Sequence, residues 1–342
     1  MTLPIRVPYL PMEALSVSDI PEGPDWQYEP KWDGFRCLAF RDGKKVRLQS
    51  KAGQPLERYF PELVEQFAEL EPDKLVLDGE IVVPVDGDLS FDDLLMRIHP
   101  AKSRVAKLAA DTPASFIAFD LLVDDRNKLL ANQPLSARRP RLEKFAERFL
   151  RGTRVRLSPA TTKLSTVKRW FENVGGGLDG VIAKQLSQPY HSGERVGMVK
   201  VKQLRTVDCV VGGFRYASKA KVIGSLLLGL YDDQGLLHHV GFCSGLTNEK
   251  RKELTPKLEK LIKKPGFTGQ APGGPSRWST ERSAQWQPLA PKLVVEVQYD
   301  HFTGGRFRHG TRFLRWRPDK AARQCTMDQL EGDKTSPLRL LK

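Results

Sequence analysis

A β-hairpin with a lysine at its entrance is the feature that most restricts the fold of this chain. Residues 35–40 and 45–49 alternate roughly between apolar and polar side chains, and Asp42-Gly43 between them provides a turn. We therefore expect antiparallel strands here. Just before the hairpin, residues 29–36 read EPKWDGFR, which sets Lys31 beside an acid, a glycine and an arginine. A lysine fixed at the mouth of a sheet can lose hydration, and its amine can then act as a nucleophile.

Further short motifs follow the lysine in a fixed order. By itself, a lysine near an Asp-Gly turn is most often a solvated charge, so these motifs carry the argument. They are Leu77–Glu80, Phe116–Asp120, Asp179–Lys184, Lys200–Lys202 and Arg317–Lys320. In this order and spacing they resemble the motif set of ATP-dependent DNA ligases, RNA ligases and capping guanylyltransferases. The likeness is greatest to the short bacterial DNA ligases of the ligase C type and to the ligase domain of ligase D.

Composition indicates a two-domain protein of a reducing compartment. The chain has 342 residues, of which 40% are hydrophobic and 28% charged, enough to build cores without general disorder. No apolar run approaches the ~20 residues of a membrane span, and residues 1–15 lack a secretion-signal pattern. The four cysteines are scattered singly, so neither a zinc site nor a disulfide framework is indicated. We expect buried free thiols and a cytoplasmic, nucleoid-associated bacterial protein with no membrane partner.

The charge balance indicates a polyanionic partner. Lys and Arg number 55 against 41 Asp and Glu, a net charge of +14. Such an excess draws a protein to nucleic acid and speeds the encounter. Charge alone does not show whether the partner is nucleic acid or an anionic membrane, or whether the surface is merely basic and soluble.

A predicted helix at about 248–264 carries many lysines. Its basic face could be simply solvated or could contact the DNA backbone, and both interpretations stay open.

The pattern of elements predicts an α+β protein. Helices are expected to begin near Pro61, Ser136 and Leu164, the last ending at Gly175–Gly177, among antiparallel-looking strands. No GxGxxG occurs to suggest a dinucleotide fold. Short strands with one inserted helix then suit a small β-barrel of OB type. The resemblance implies a nucleotidyltransferase (ATP-grasp-like) antiparallel-sheet domain at 1–203 and an OB-fold domain at 204–330, with a polar tail at 331–342.

The resemblance also implies the chemistry. The lysine amine takes AMP from ATP and expels pyrophosphate, AMP passes to a 5′-phosphate on DNA, and a 3′-hydroxyl displaces it. Lys31 matches the nucleophile. Lys200 and Lys202, two apart on a predicted strand and so on one face, match the pair that binds the α-phosphate. Their like charges are expected to lower the pKa of Lys31.

Other positions match the residues that hold the nucleotide and a metal. Arg36 and Glu80 match the residues that bind the ribose hydroxyls, and Phe119 matches the aromatic that stacks on adenine. Asp179 stands where the family usually has glutamate, and with Glu80 it is the expected ligand set for Mg²⁺ (or Mn²⁺). The remaining expected contacts are Glu29 with the base edge, Lys184 with phosphate, and Lys51 with the nucleotide, where the family usually has arginine and Lys51 offers charge without a bidentate fork.

The final motif implies a domain movement. Arg317 and Lys320 match residues that bind the β- and γ-phosphates, which they can reach only if the barrel swings over the active site. We therefore expect a closed state for adenylation of the lysine and an open state for work on DNA.

Together these features predict a monomeric ATP-dependent DNA ligase acting on nicked or broken duplex DNA in repair. End-binding or polymerase repair proteins are the expected partners. An RNA ligase or a capping-type guanylyltransferase shares the covalent lysine and stays an alternative. A non-catalytic OB-fold nucleic-acid-binding protein is the alternative of a different class. An NAD-dependent ligase is disfavoured, because the chain lacks paired cysteines of the kind such enzymes carry in a zinc finger.

Overall fold

The structure is a computed structural model that describes residues 1–174, 178–218, 220–273, 285–330 and 336–341. Contacts within the chain divide it into two compact units, Met1–Gln203 with Asp333–Lys342, and Leu204–Gly332. Each unit has its own hydrophobic core. The four cysteines are free and buried, as the sequence predicts. Within the described residues, no helix is both long enough and apolar enough to cross a membrane.

The first unit is built on two sheets with helices beside them. Its strands are β1 (Leu15–Ser16), β2 (Trp26–Pro30), β3 (Phe35–Asp42), β4 (Lys45–Ser50), β5 (Lys74–Val82), β6 (Pro84–Val85), β7 (Asp88–Leu89), β8 (Ser115–Val123), β9 (Val155–Leu157), β10 (Gly180–Gln185) and β11 (Met198–Lys202). Its helices are α1 (Pro61–Glu69), α2 (Phe91–Met96), α3 (Lys102–Asp111), α4 (Leu135–Phe149) and α5 (Leu164–Val174).

The sheet order brings distant motifs together. One sheet runs β4-β3-β5-β8-β9 and the other β1-β11-β10-β2. β3 pairs antiparallel with β5, which places Arg36 opposite Glu80. β10 pairs antiparallel with both β2 and β11, which places Ile182 between Glu29 and Lys200. The motifs therefore meet because the strands that carry them are neighbours in a sheet.

The predicted hairpin forms, with its turn moved by one residue. Asp42 still belongs to β3 and pairs with Lys45, so the two-residue turn is Gly43-Lys44 and not Asp42-Gly43. Gly43 has φ +60, a value that glycine adopts at little cost. Its backbone N–H donates to Asp73 O at 2.7 Å.

Several helix ends differ from the prediction. α4 begins at Leu135 after Pro134, and the Ser136 backbone N–H donates to Leu186 O, so Ser136 is not the cap. Helices α2 and α3 were not predicted, since α2 is short and α3 is half polar, with Val105 as its one buried residue. Ser90 caps α2 by accepting from the Asp93 N–H. Gly175–Gly177, the predicted end of α5, lie outside the described residues.

The second unit is a mainly antiparallel sheet with one helix inserted. Its elements are β12 (Arg205–Ala217), β13 (Ala220–Tyr231), β14 (Leu237–Cys243), α6 (Asn248–Glu259), β15 (Gln287–Pro288), β16 (Val294–Tyr299), β17 (Phe302–Thr303), β18 (Arg306–Phe307) and β19 (Arg312–Trp316). The strand order is β14-β13-β12-β16-β19, with β15 also pairing to β12. The Thr247 side chain caps α6 by accepting from the Lys250 N–H. The helix ends at Glu259, before the predicted 264, because the chain then joins the sheet, where Lys263 N–H donates to Pro288 O.

The C-terminal segment packs on the first unit. Pro337–Leu340 forms a 3₁₀ turn, and Pro337 is buried. Leu340 and Leu341 pack against a cluster that contains Trp32 and Phe119. The described part of the expected polar tail, residues 336–341, therefore contributes two leucines to an apolar cluster of the first unit.

A buried histidine in the second unit predicts acid sensitivity. His239 lies edge-on to Phe267, and neither ring nitrogen has a hydrogen-bond partner among the described residues. Burial, then the charges of Arg306 and Arg215, lowers the pKa of His239 to about 3. In the unfolded chain this histidine takes up a proton near pH 6.5, whereas in the folded chain it stays neutral down to about pH 3. The free energy of unfolding therefore falls as the pH falls from 6.5 towards 3.

We expect the His239→Phe variant to lose less stability than the wild type in acid. Between pH 6 and 4 the free energy of unfolding of the wild type is expected to fall, relative to that of His239→Phe, by ~1.4 kcal/mol per pH unit. Urea denaturation at each pH measures it. Parallel curves for the two proteins would contradict the assignment.

Candidate active site

The predicted functional residues of the first unit line one pocket. Its walls come from the segment before β1, the end of β2 and strands β3, β5, β8, β10 and β11. The lining includes most of the predicted set, namely Glu29, Lys31, Arg36, Lys51, Glu80, Phe119, Lys184 and Lys200. It also includes Met12, Glu13 and Trp32, which the sequence analysis did not single out. Asp179 and Lys202 are not part of this lining.

Lys31 lies at the junction of two motifs. It follows the last residue of β2, and its backbone N–H donates to Gly180 O at 2.9 Å. Its Nζ forms an ion pair with the buried carboxylate of Asp179. The predicted nucleophile and the predicted acidic metal ligand are therefore direct partners, although 148 residues separate them in sequence.

The other cations near Lys31 come from β11. Lys200 lines the pocket, and Lys202 lies two residues further along the same strand. Burial lowers the pKa of Lys200, and the charges of Lys31 and Lys202 lower it further. A lysine cluster of this kind suits the binding of a dense negative charge such as phosphate.

A buried ion pair also lines the pocket. Lys184 Nζ donates to Glu29 Oε2 at 2.8 Å and lies 4.7 Å from the Phe119 ring centroid. Gln27 Nε2 donates to the other oxygen of Glu29 at 2.8 Å. The phosphate contact expected for Lys184 would require it to leave these partners. Gln27 was not singled out from sequence, although it lies two residues before Glu29 on β2 and therefore shares its face of the strand.

A second buried network holds Arg36. Its Nε and Nη2 donate to the two oxygens of Asp78, each at 2.6 Å, and its Cζ lies 4.5 Å from the Phe119 ring centroid. The hydroxyl of Tyr190 donates to Asp78 as well, at 2.6 Å. Burial raises the pKa of the nearby Glu80 to about 7 although Arg36 and Lys31 oppose the shift. Asp78 belongs to a motif that the sequence singled out, whereas nothing local marks Tyr190.

The mouth of the pocket carries a shared acid. Glu13 pairs with Lys51 at 3.2 Å and with Arg195 at 3.1 Å. These hydrogen bonds lower the pKa of Glu13. Both cations are more than half exposed, so we expect each pair to contribute little to stability. Lys51 therefore lines the pocket, as expected, and in the absence of a nucleotide its partner is the Glu13 carboxylate.

Within the second unit, Arg317 and Lys320 share one acid. Asp208 on β12 accepts from Arg317 at 2.9 Å and from Lys320 at 2.8 Å. Arg317 also pairs with Asp319, and Lys320 donates to Gln329 Oε1 at 3.3 Å. The two cations of the final motif therefore form one compact group. Asp208 and Gln329 were not singled out from sequence.

Comparisons with known proteins settle the family. The model of the ATP dependent DNA ligase domain matches residues 11–202, and that of the ATP dependent DNA ligase C terminal region matches residues 219–320. The chain belongs to the ATP-dependent DNA ligases. The fold predicted for this family, an α+β nucleotidyltransferase domain followed by an OB-fold domain, is confirmed.

The relatives are ligases of similar length. DNA ligase C2 of Mycolicibacterium smegmatis is 48% identical over 97% of this chain and 97% of its own. DNA ligase C of Mycobacterium tuberculosis is 44% identical over 99% of this chain and 98% of its own. A solved Lig E DNA ligase, 18% identical, shares the fold with a TM-score of 0.54 over 90% of this chain and 100% of that one. These findings favour a DNA ligase over the RNA ligase, the capping enzyme and the non-enzymatic OB-fold protein.

The approach of β10 to β11 predicts a sensitive glycine. Gly180 has φ +148, and a Cβ there would collide with the Val201 carbonyl oxygen. We expect Gly180→Ala to shift the backbone that positions Lys31 and Asp179, and to slow formation of the lysine adduct about tenfold or more. Single-turnover labelling with ATP measures this rate.

Gly152→Ala is the matched control for this prediction. Gly152 also has positive φ, +75, but a Cβ there meets nothing within 4 Å. This variant carries the same kind of backbone strain away from the pocket. Equal rates for the two variants would show that strain alone, and not the approach to Val201, sets the effect.

Proposed function

We propose that this ATP-dependent DNA ligase seals nicks or breaks in duplex DNA through AMP carried on Lys31. In the first step the Lys31 amine attacks the α-phosphorus of ATP, and the bond to the bridging oxygen of pyrophosphate breaks. AMP then passes to a DNA 5′-phosphate, and a 3′-hydroxyl displaces it to form the phosphodiester. The observation that carries the proposal is the meeting of Lys31, Asp179 and Lys200 beside the pocket that holds Arg36 and Phe119.

The charges of the pocket suit the stages of this reaction. The α-phosphate gains negative charge as the amine attacks, and fixed cations stabilise such charge without reorganising. Lys200, with Lys202 beside it, is the proposed source. Arg36 and Glu80 are proposed to hold the ribose, and Glu29, backed by Gln27, the base. An adenine on Phe119 would share that ring with the Arg36 and Lys184 cations.

The acids beside Lys31 fit a divalent cation. Carboxylate oxygens are the ligands that Mg²⁺ and Mn²⁺ prefer, and Asp179 already faces a cation, the Lys31 ammonium. We propose that Asp179 and Glu80 hold the metal, which when bound would neutralise phosphate charge. In that arrangement Asp179 keeps a positive partner when the Lys31 amine loses its proton. Lys51 is proposed to bind phosphate once it leaves Glu13.

DNA is the substrate that the family implies. We propose a role in repair, at the chromosome in the cytoplasm, with broken ends supplied by end-binding or polymerase proteins. The +14 net charge supports an encounter with DNA that weakens with salt.

The direct test is the covalent intermediate. The purified chain, incubated with ATP and Mg²⁺, is expected to show a species heavier by one AMP whose tryptic map places the group on Lys31. Lys31→Ala is expected to abolish that species and the sealing of a nicked duplex. Labelled GTP in place of ATP tests the capping-type alternative. An adduct that persists in Lys31→Ala would overturn the assignment.

Arg317 and Lys320 are predicted to act in the first step alone. We expect Arg317→Gln, which keeps a donor for Asp208, to slow lysine adenylation about 100-fold or more, since it removes charge from the departing pyrophosphate. Sealing of a pre-adenylated nick needs no pyrophosphate and is expected to stay near the wild-type rate. Both reactions are measured on labelled nicked duplex.

Arg312→Gln is the control for that prediction. Arg312 is an exposed cation on β19, the strand that leads to Arg317. The Arg312→Gln variant removes one positive charge from the second unit, as Arg317→Gln does, but it leaves the ion pairs of Asp208 in place. Equal losses in adenylation and in sealing by Arg317→Gln would show that the residue serves the fold or DNA binding and not the triphosphate.

A further inference from the structure

Tyr190 is a buried residue that contacts residues of the pocket wall but does not itself line the pocket. Its side chain is 6% exposed, and its backbone N–H donates to Ala131 O at 2.8 Å. One side of the ring stacks against Tyr9 with the centroids 6.2 Å apart, and Arg138 Cζ lies 5.8 Å from the ring centroid. The ring is therefore held by packing and by the main chain, independently of its hydroxyl.

The hydroxyl of Tyr190 joins two walls of the nucleotide pocket. It donates to Asp78 Oδ2 at 2.6 Å and accepts from the Met12 backbone N–H at 2.9 Å. Met12 belongs to the segment before β1, and Asp78 to β5. Because the group donates once and accepts once, both of its partners are satisfied and the hydroxyl has one orientation.

Asp78 passes this constraint to Arg36. The carboxylate is fully buried and binds the Arg36 fork with both oxygens, so it cannot rotate without losing a hydrogen bond to Arg36 or to Tyr190. Arg36 Nη2 also reaches the Met12 carbonyl at 3.4 Å. Tyr190, Asp78, Arg36 and Met12 thus form a closed ring of contacts, and such bidentate pairs fix the plane of a guanidinium.

One nitrogen of the fork is left for a ligand. Nε and Nη2 are used by Asp78 and Met12, whereas Nη1 makes no hydrogen bond to any described residue, and Arg36 lines the pocket. The donors on Nη1 need an oxygen acceptor. A sugar hydroxyl supplies one, and a deoxy sugar lacks it. Sites built to bind a hydroxyl reject the analogue without it because their polar groups are then unpaired.

We propose that Tyr190 is a positioning residue that sets the preference for a ribonucleotide over a deoxyribonucleotide donor, acting through Asp78 on Arg36. The inference rests on the proposed function, in which Arg36 binds the ribose. Without the hydroxyl, Asp78 loses a donor and the Met12 N–H loses its acceptor, so the Arg36 fork is no longer held from both sides. The binding free energy contributed by the contact with the sugar hydroxyl is then expected to fall, whereas the contributions of the base and the phosphates are expected to stay the same.

The test is the ratio of kcat/KM for lysine adenylation from ATP to that from 2′-deoxy-ATP or 3′-deoxy-ATP. Tyr190→Phe is expected to lower this ratio about fivefold or more for at least one analogue. Both rates are measured on one preparation, so a reduced folded fraction cancels. Tyr9→Phe is the matched control, because it removes the hydroxyl of the ring that stacks on Tyr190, and that hydroxyl makes no hydrogen bond to Asp78 or Met12 among the described residues.

Arg36→Lys separates the inference from the proposed function. If Arg36→Lys and Tyr190→Phe both lower the ratio while Tyr9→Phe keeps it, the proposal stands. A ratio lowered by Arg36→Lys and unchanged in Tyr190→Phe overturns the role of Tyr190 and leaves Arg36 at the sugar. A ratio unchanged in Arg36→Lys, or a wild type without preference, overturns the role of Arg36 and the inference with it. A ratio lowered equally by Tyr9→Phe assigns the effect to general packing and also overturns the proposal.

Discussion

The contact of Lys31 with the 179–180 corner is the interaction on which the rest of the site depends. A backbone hydrogen bond to Gly180 O fixes where β2 ends, and the ion pair with Asp179 fixes where the lysine amine lies. Both arise because β2 and β11 flank β10 in one antiparallel sheet. The same pairing aligns Lys200 with Ile182, so the cations of β11 approach the nucleophile through register and not through loop flexibility. Geometry held by a sheet suits a reaction that requires in-line attack.

Around that corner, two buried acids, Glu29 and Asp78, each bind two partners. A buried ion pair is costly unless further hydrogen bonds satisfy both partners. Glu29 meets this condition through Lys184 and Gln27, and Asp78 meets it through Arg36 and Tyr190. Moving any of these side chains breaks a hydrogen bond, so the two groups hold their geometry in the absence of a ligand. The pocket is therefore shaped before its ligand arrives, which is the arrangement that favours electrostatic stabilisation of developing charge.

Local pattern predicted the elements better than their ends. Strand alternation placed the hairpin, but whether Asp42 or Gly43 begins the turn depends on the pairing of Asp42 with Lys45. Ser136 has the chemistry of a helix cap, yet Leu186 binds its N–H and the helix starts earlier. The polar residues of the C-terminal segment suggested a solvated tail, whereas Leu340 and Leu341 pack against the cluster that contains Trp32 and Phe119. In each case a contact with a distant residue decided an outcome that neighbouring residues left open.

The sequence by itself determined which reactive groups the enzyme has and in what order: a lysine before a hairpin, acids in short strand-like motifs, and paired lysines on one strand face. It could do so because strand period and motif spacing are local properties. Only the tertiary structure decided which groups meet. Asp179 became the partner of Lys31, Glu13 that of Lys51, and Tyr190 that of Asp78. These pairings depend on sheet order and burial across long stretches of chain, and no periodicity within a single segment encodes them.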